Sequence, residues 1–246
     1  MSPRIKKSFQ SLRGKVALIT GASQGIGLAI ARALAAEGCN LVITGRDKTT
    51  LAKACRELKA RNARVLPCLC DVRDPVSAQE LVNAVEGRFH GLDILINNAG
   101  VAHPNLSVAE LRLATWREVI DTNLTGMFLV TRAVLPLMKS GGMIVNNLSI
   151  AAKRVFAGSS AYNASKHGAL GFTNTLREEL REKGIRVIAL LPGATDTAIW
   201  KTLWPEAPRQ KMMKPETVAQ AVVNALVLSA ESTVEELVII PSAGTL

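Results

Sequence analysis

The chain has 246 residues, 48% of them apolar and 20% charged, a balance that points to a packed globular fold and excludes wholesale disorder. It carries 30 Lys and Arg against 20 Asp and Glu, yet five of the cations lie in the acid-free first 15 residues. With that arm supplying half the excess, and with no aromatic-studded basic stripe or zinc-finger spacing, a nucleic-acid surface is not expected. In chain order, 15–20 (KVALIT) is a nearly continuous apolar run and reads as a strand. A helix follows and stops at Gly38. Strand 39–45, helix 48–61 and strand 63–72 come next. Helix 75–89 is opened by Asp74 as cap with Pro75 in its first turn. Strand 92–100 runs into a turn, and 107–121 and 122–139 are read as two helices. Strand 142–149, helix 160–183, strand 185–193, helix 215–230 and strand 234–241 complete the chain.

Apolar strands alternating with helices of this length imply an α/β fold, with a parallel sheet covered on both faces. The expectation is a single domain over 15–246 behind a basic N-terminal arm at 1–14. Residues 194–214 break the rhythm. They hold Trp200, Trp204, Pro205, Pro208, Met212 and Met213 without a clear period, and read as a cap over a binding site. No run of 18 apolar residues appears, so no membrane span is expected. The basic leader lacks the apolar core of a signal peptide, which points to the cytoplasm. Cys39, Cys55, Cys68 and Cys70 form no C-x-x-C pair and have no histidine at ligand spacing, so they read as small buried hydrophobes and no metal is expected.

The segment TGASQGIG (20–27) joins the first strand to the first helix, with Gly21, Gly25 and Gly27 in a G-x-x-x-G-x-G spacing. Such a turn presents bare amide N–H groups at the positive end of a helix and lets a pyrophosphate approach closely. The Walker lysine is missing, which argues against an NTP-hydrolysing loop. The second strand ends TGRD. Gly45 offers no carboxylate to ribose hydroxyls, Arg46 can pair with a 2′-phosphate, and Asp47 reads as a helix cap. NADP(H) is therefore the preferred cofactor, with NAD(H) possible. Further along, Tyr162, the only tyrosine, lies four residues before Lys166. Residues i and i+4 on a helix are stacked neighbours, and a nearby ammonium lowers the pKa of a phenol. The pair reads as a proton-transfer device.

Together these pieces resemble the short-chain dehydrogenase/reductase family over 15–241: TGASQGIG, Asp71–Val72, NNAG at 97–100, Asn123, Ser149, YNASK at 162–166 and PGATDT at 192–197. The resemblance implies a doubly wound Rossmann fold with seven parallel strands in the order 3-2-1-4-5-6-7. It implies that Gly21, Ser23, Gly25, Ile26 and Gly27 cradle the cofactor phosphates. Asp71 and Val72 would border the adenine, and Asn98, Ala99 and Gly100 the ribose path. Pro192, Gly193, Thr195 and Thr197 would hold the nicotinamide end. Asn123, Ser149, Tyr162 and Lys166 match the family's catalytic tetrad: Tyr162 as proton donor and acceptor, Ser149 orienting the substrate oxygen, Lys166 on the ribose, and Asn123 holding a water that links Lys166 to solvent. The substrate would be a small carbonyl compound or alcohol, and the protein a homodimer or homotetramer packed through helices 107–139 and 160–183.

The core motifs look most like the 3-oxoacyl carrier-protein reductase branch, but the ending VEELVIIPSAGTL departs from it. That activity stays an alternative, as do a catalytically silent dinucleotide-binding regulator and an epimerase or dehydratase on the same fold. His103 is a candidate substrate contact or a solvated loop residue. Lys153 and Arg154 are candidates for flanking the pocket and favouring an anionic substrate.

Overall fold

The computed structural model describes residues 10–244. Seven parallel strands form one sheet in the order β3-β2-β1-β4-β5-β6-β7. They are β1 (Val16–Ile19), β2 (Asn40–Gly45), β3 (Val65–Leu69), β4 (Leu92–Asn97), β5 (Met138–Asn147), β6 (Arg186–Pro192) and β7 (Glu236–Ile239). The helices are α1 (Gly25–Ala36), α2 (Lys48–Lys59), α3 (Pro75–Phe89), α4 (Leu113–Ile120), α5 (Gly126–Val134), α6 (Ser160–Arg181), α7 (Trp200–Leu203) and α8 (Pro215–Leu226). The topology expected from the family resemblance is the one observed.

Alternation along each strand divides the core in two. Ala17, Ile19, Ile43, Ile94, Ile96 and Val145 face α1, α2 and α8, where Ile30, Leu34, Leu58 and Val222 meet them. Leu18, Val42, Leu95, Ile144 and Val187 point the other way, onto Leu81 and Val85 of α3, Val130 of α5 and Leu176 of α6. With both faces covered, a polar side chain is costly in the strand centres, hence the unbroken apolar runs. Each fully buried Leu or Ile adds roughly 1.5–3 kcal/mol by leaving water. Asp47 caps α2 by accepting from Thr50 N at 2.7 Å, and Asp74 caps α3 from Val76 N at 3.0 Å and Ser77 N at 3.1 Å, as the sequence suggested.

The largest departures lie between β4 and β5. The expected helix 107–121 begins only at Leu113, because Ser107 closes a local turn in which its hydroxyl donates to Glu110 Oε2 at 2.6 Å. The chain then does not break at residue 122. It passes through a π-helical turn, Asp121–Thr125, directly into α5. The helix expected to reach 139 ends at Val134. Pro136 has no N–H to continue it, and Met138 already opens β5, paired with Leu92 of β4. The arm boundary also moves. Residues 1–9 lie outside the described residues, but Gln10 N donates to Val227 O at 2.8 Å and Leu12 is buried in the core, so 10–14 belong to the domain. The segment 194–214 folds back on itself: Met213 N donates to Ala194 O at 3.0 Å and Asp196 N to Met213 O at 2.8 Å, closing its base. Among the described residues no helix is long and apolar enough to cross a membrane, and no cluster of three or more His, Cys, Asp or Glu is placed to hold a metal.

Candidate active site

A cavity of about 640 Å³ opens along the carboxyl ends of the strands, from the glycine turn after β1 to the segment after β6. This is where open α/β sheets bind their ligands. Gly21 adopts φ +63° and lies so close to the β4 turn that a Cβ would meet Ala99 Cα at 2.9 Å. Gln24, the residue before α1, makes no side-chain capping bond. The first amides of a twelve-residue helix therefore have no side-chain cap from Gln24. Gly21, Ser23, Gly25 and Ile26 line the cavity, whereas Gly27 does not. Its own missing side chain serves packing, since a Cβ there would lie 2.6 Å from Gly21 O and strike the Asn98 amide.

At the end of β2, Arg46 lines the cavity beside the bare Gly45. Among the described residues Arg46 forms no ion pair within 4.0 Å, and Asp47 is occupied as a cap. Val72 lines the cavity; Asp71 does not. The Asp71 carboxylate is gripped by Arg73, whose Nη2 lies 2.5 Å from Oδ2, and the paired guanidinium holds its pKa below the usual carboxylate value. The side chain expected at the adenine is thus turned into a local ion pair.

Below the cavity runs a ladder of asparagines. Asn98 Nδ2 donates to Thr20 O at 2.9 Å and Gly21 O at 3.0 Å. Both are carbonyls, so Asn98 Oδ1 must be the atom that accepts, and it takes Asn147 Nδ2 at 2.8 Å. Thr20 Oγ1 accepts from the amides of Asn98 at 2.9 Å and Ala99 at 3.0 Å, which shapes the turn through Gly100. Asn147 then contributes its main-chain carbonyl to Lys166 Nζ at 3.1 Å. The glycine turn and the lysine are connected through the side chains of Asn98 and Asn147 and the Asn147 main-chain carbonyl. Sequence reading missed Asn147; its position two residues before Ser149, at a strand end, was the available signal.

Lys166 is only 5% exposed, and its Nζ stands 5.6 Å from the Tyr162 ring centre. Ser149, whose Oγ accepts from Ala151 N at 3.1 Å, neighbours the Tyr162 hydroxyl. The lowered phenol pKa expected from the ammonium is not what this pocket produces. Burial raises the Tyr162 pKa and outweighs the opposing effect of the neighbouring Ser149 hydroxyl, while burial lowers Lys166 from 10.5 to about 8. Both ionised forms lose hydration here, and a lysine that sheds its proton near pH 8 offers little steady charge to a phenolate.

Asn123 sits in the π-helical turn, fully buried and away from the cavity wall. Its Nδ2 donates to Val101 O at 2.9 Å and Ser165 Oγ at 3.0 Å, and its Oδ1 accepts from Val101 N at 2.8 Å. Both amide hydrogens are committed inside the protein. The side chain pins the loop after β4 to α6. The π turn, a feature often found at functional sites, places this side chain between the two.

Pro192, Gly193, Thr195 and Thr197 line the far end of the cavity. Thr195 Oγ1 donates to Gly193 O at 3.0 Å, Trp200 Nε1 to Thr195 O at 2.8 Å, and Arg209 Nη2 to Thr197 O at 2.7 Å. Arg209 also pairs with Asp196. These bonds hold the segment 194–214 together, and its Ile199, Trp200, Leu203 and Trp204 line the cavity. His103 is neither solvated nor at the cavity: it is fully buried, with Nδ1 2.7 Å from Pro104 O. Lys153 is paired with Glu236 on β7, and neither it nor Arg154 is part of the cavity wall.

The family model described as short chain dehydrogenase matches residues 15–208, and the chain belongs to that family of oxidoreductases. A 3-oxoacyl-[acyl-carrier-protein] reductase of Synechocystis sp. is 36% identical over 217 residues, spanning 85% of this chain and 87% of its own. Among solved structures, a variant of actinorhodin polyketide ketoreductase with NADPH superposes with a TM-score of 0.84 at 34% identity, covering 95% of this chain and 98% of its own. A short chain dehydrogenase from Burkholderia cenocepacia in complex with NADP gives 0.87 at 32%, covering 95% and 99%.

Proposed function

We propose that the protein is an NADP(H)-dependent oxidoreductase that interconverts a carbonyl compound and a secondary alcohol, with Tyr162 as general acid and base. One observation carries this reading: Ser149, Tyr162 and the buried Lys166 line the same cavity that begins at an uncapped helix N-terminus. The residues fit a dinucleotide. Glycine backbone and bare α1 amides suit a pyrophosphate, and Arg46 beside Gly45 suits a 2′-phosphate, with NAD(H) the weaker ligand. The solved relatives that hold NADPH or NADP support the same choice. When bound, the dinucleotide supplies or accepts the hydride.

The chain's own groups do the rest. Burial keeps Tyr162 protonated at neutral pH, so it is ready to give a proton to a carbonyl oxygen; in the oxidative direction it takes the proton back as pH rises. Ser149 orients that oxygen with its hydroxyl. Lys166, held by the Asn147 carbonyl and lining the cavity, keeps further N–H donors that would bind ribose hydroxyls. Tyr162→Phe tests the proposal. Turnover of a ketone with NADPH should fall about 10²–10⁴-fold while NADPH still binds. A silent regulator would consume no NADPH in either form.

A second reading, reduction of 3-oxoacyl thioesters, is favoured by the Synechocystis relative. It requires thioesters to outrun free ketones in the same assay. The homodimer or homotetramer is supported by Leu113, Trp116 and Phe128, which leave apolar surface exposed on α4 and α5. Light scattering should give two or four times 26.3 kDa, and a mass of one chain would reject it.

A further inference from the structure

Charge is unevenly placed around the cavity. Among the residues that line it, only Arg46 and Lys166 carry a charge at neutral pH. Arg46 stands at the end of β2, and Lys166 is held by a main-chain carbonyl beside Tyr162. Beyond Tyr162 the wall is built by Val155 and Phe156 from the segment after Ser149, and by Ile199, Trp200, Leu203 and Trp204 from the cap.

Trp200 spends its indole N–H on Thr195 O at 2.8 Å, so its ring offers the cavity only carbon. Lys153, the cation that the sequence offered to an anionic substrate, is neutralised by Glu236 instead. At the rim two large apolar side chains remain open to water: Val155 at 83% exposure and Trp204 at 44%. Apolar side chains left wet at the mouth of a concave site are surface for a ligand to cover. Among the residues that line this part of the cavity no charged side chain stands ready to meet a carboxylate or phosphate.

Resting on the oxidoreductase reading above, we propose that the substrate is an uncharged ketone, or its secondary alcohol, with a bulky aromatic or alicyclic body. Phe156, Trp200 and Trp204 select it by covering that body while Ser149 and Tyr162 take the single oxygen. Selection by such a wall is graded, and one lost apolar contact is worth roughly 10–200-fold in kcat/KM.

The test uses the full chain with NADPH and three ketones: a bicyclic aryl ketone, the same skeleton bearing a carboxylate away from the carbonyl, and a small aliphatic ketone. The neutral bicyclic compound should exceed its carboxylate counterpart about 100-fold in kcat/KM. Trp204→Ala and Phe156→Ala should each lower that value about 10-fold, mainly through KM, with a smaller loss for the small ketone. Trp204→Phe should restore most of it, which separates loss of contact from loss of fold. Without cofactor, the neutral bicyclic ketone should quench tryptophan fluorescence at lower concentration than the carboxylate compound does. Equal or better use of the carboxylate compound, or equal losses for bulky and small ketones in the variants, overturns the substrate class and leaves the oxidoreductase standing. Failure to reduce any of the three by protein that binds NADPH sinks the oxidoreductase reading, and this inference with it.

Discussion

The two ends of the cavity are built on different principles. At the glycine turn the backbone itself borders the cavity, and Gly21 and Gly27 hold positions where a side chain would collide with Ala99 or the Asn98 amide. At the cap the backbone is only a frame, and Trp200, Leu203 and Trp204 form the wall. A site made of main-chain atoms tolerates few sequences, so its spacing is readable. A wall made of apolar side chains tolerates many, because shape and volume can be reached in different ways.

This difference predicts abrupt losses at the first end and graded ones at the second. Gly27→Val should have the largest effect. The added atoms meet Gly21 O and the Asn98 amide, so dinucleotide binding should vanish and thermal stability drop by about 3 kcal/mol or more, measured by cofactor titration and denaturant melts. Retained NADPH affinity would show that the turn is not the phosphate cradle. Next, Asn147→Leu removes the side-chain link between the glycine turn and the strand end that anchors Lys166. We expect kcat to fall about 10–100-fold, roughly the loss of one or two buried hydrogen bonds, with KM for the ketone little changed. Arg46→Asp should cut the NADPH-over-NADH ratio by about 10–100-fold, the worth of one charge-assisted contact. An unchanged ratio would remove the role given to Arg46.

The pH response is smaller and has a definite sign. Lys166 is charged below about 8 and neutral above it. Ketone reduction should therefore decline as pH rises through that value, and Lys166→Arg, whose charge persists, should lack the decline in its residual activity. The same shift acts on stability. Between about 8 and 10.5 the unfolded chain keeps the lysine proton that the folded chain has released. The unfolded state then binds more protons, so the contribution of this site to stability rises with pH across the window. Lys166→Met should flatten that rise in denaturant melts collected from pH 7 to 10.

Much of this molecule was legible before its structure. Alternating apolar runs determined the strands and helices, Asp47 and Asp74 announced their caps, and motif spacing located the glycine turn, Ser149, Tyr162 and Lys166, because each depends on neighbours close in the chain. Other features depend on contacts between distant segments. The continuous passage from α4 to α5 through a π turn is held by Asn123 against Val101 and Ser165. The retreat of Asp71 into an ion pair, and the recruitment of Asn147 beneath the lysine, needed three-dimensional proximity to be seen. So did the direction of the Tyr162 pKa, since helical spacing counts neighbours along one element while desolvation counts everything packed around the group. Local periodicity and turn chemistry are written in short stretches of chain; burial and long-range pairing exist only once the sheet has brought those stretches together.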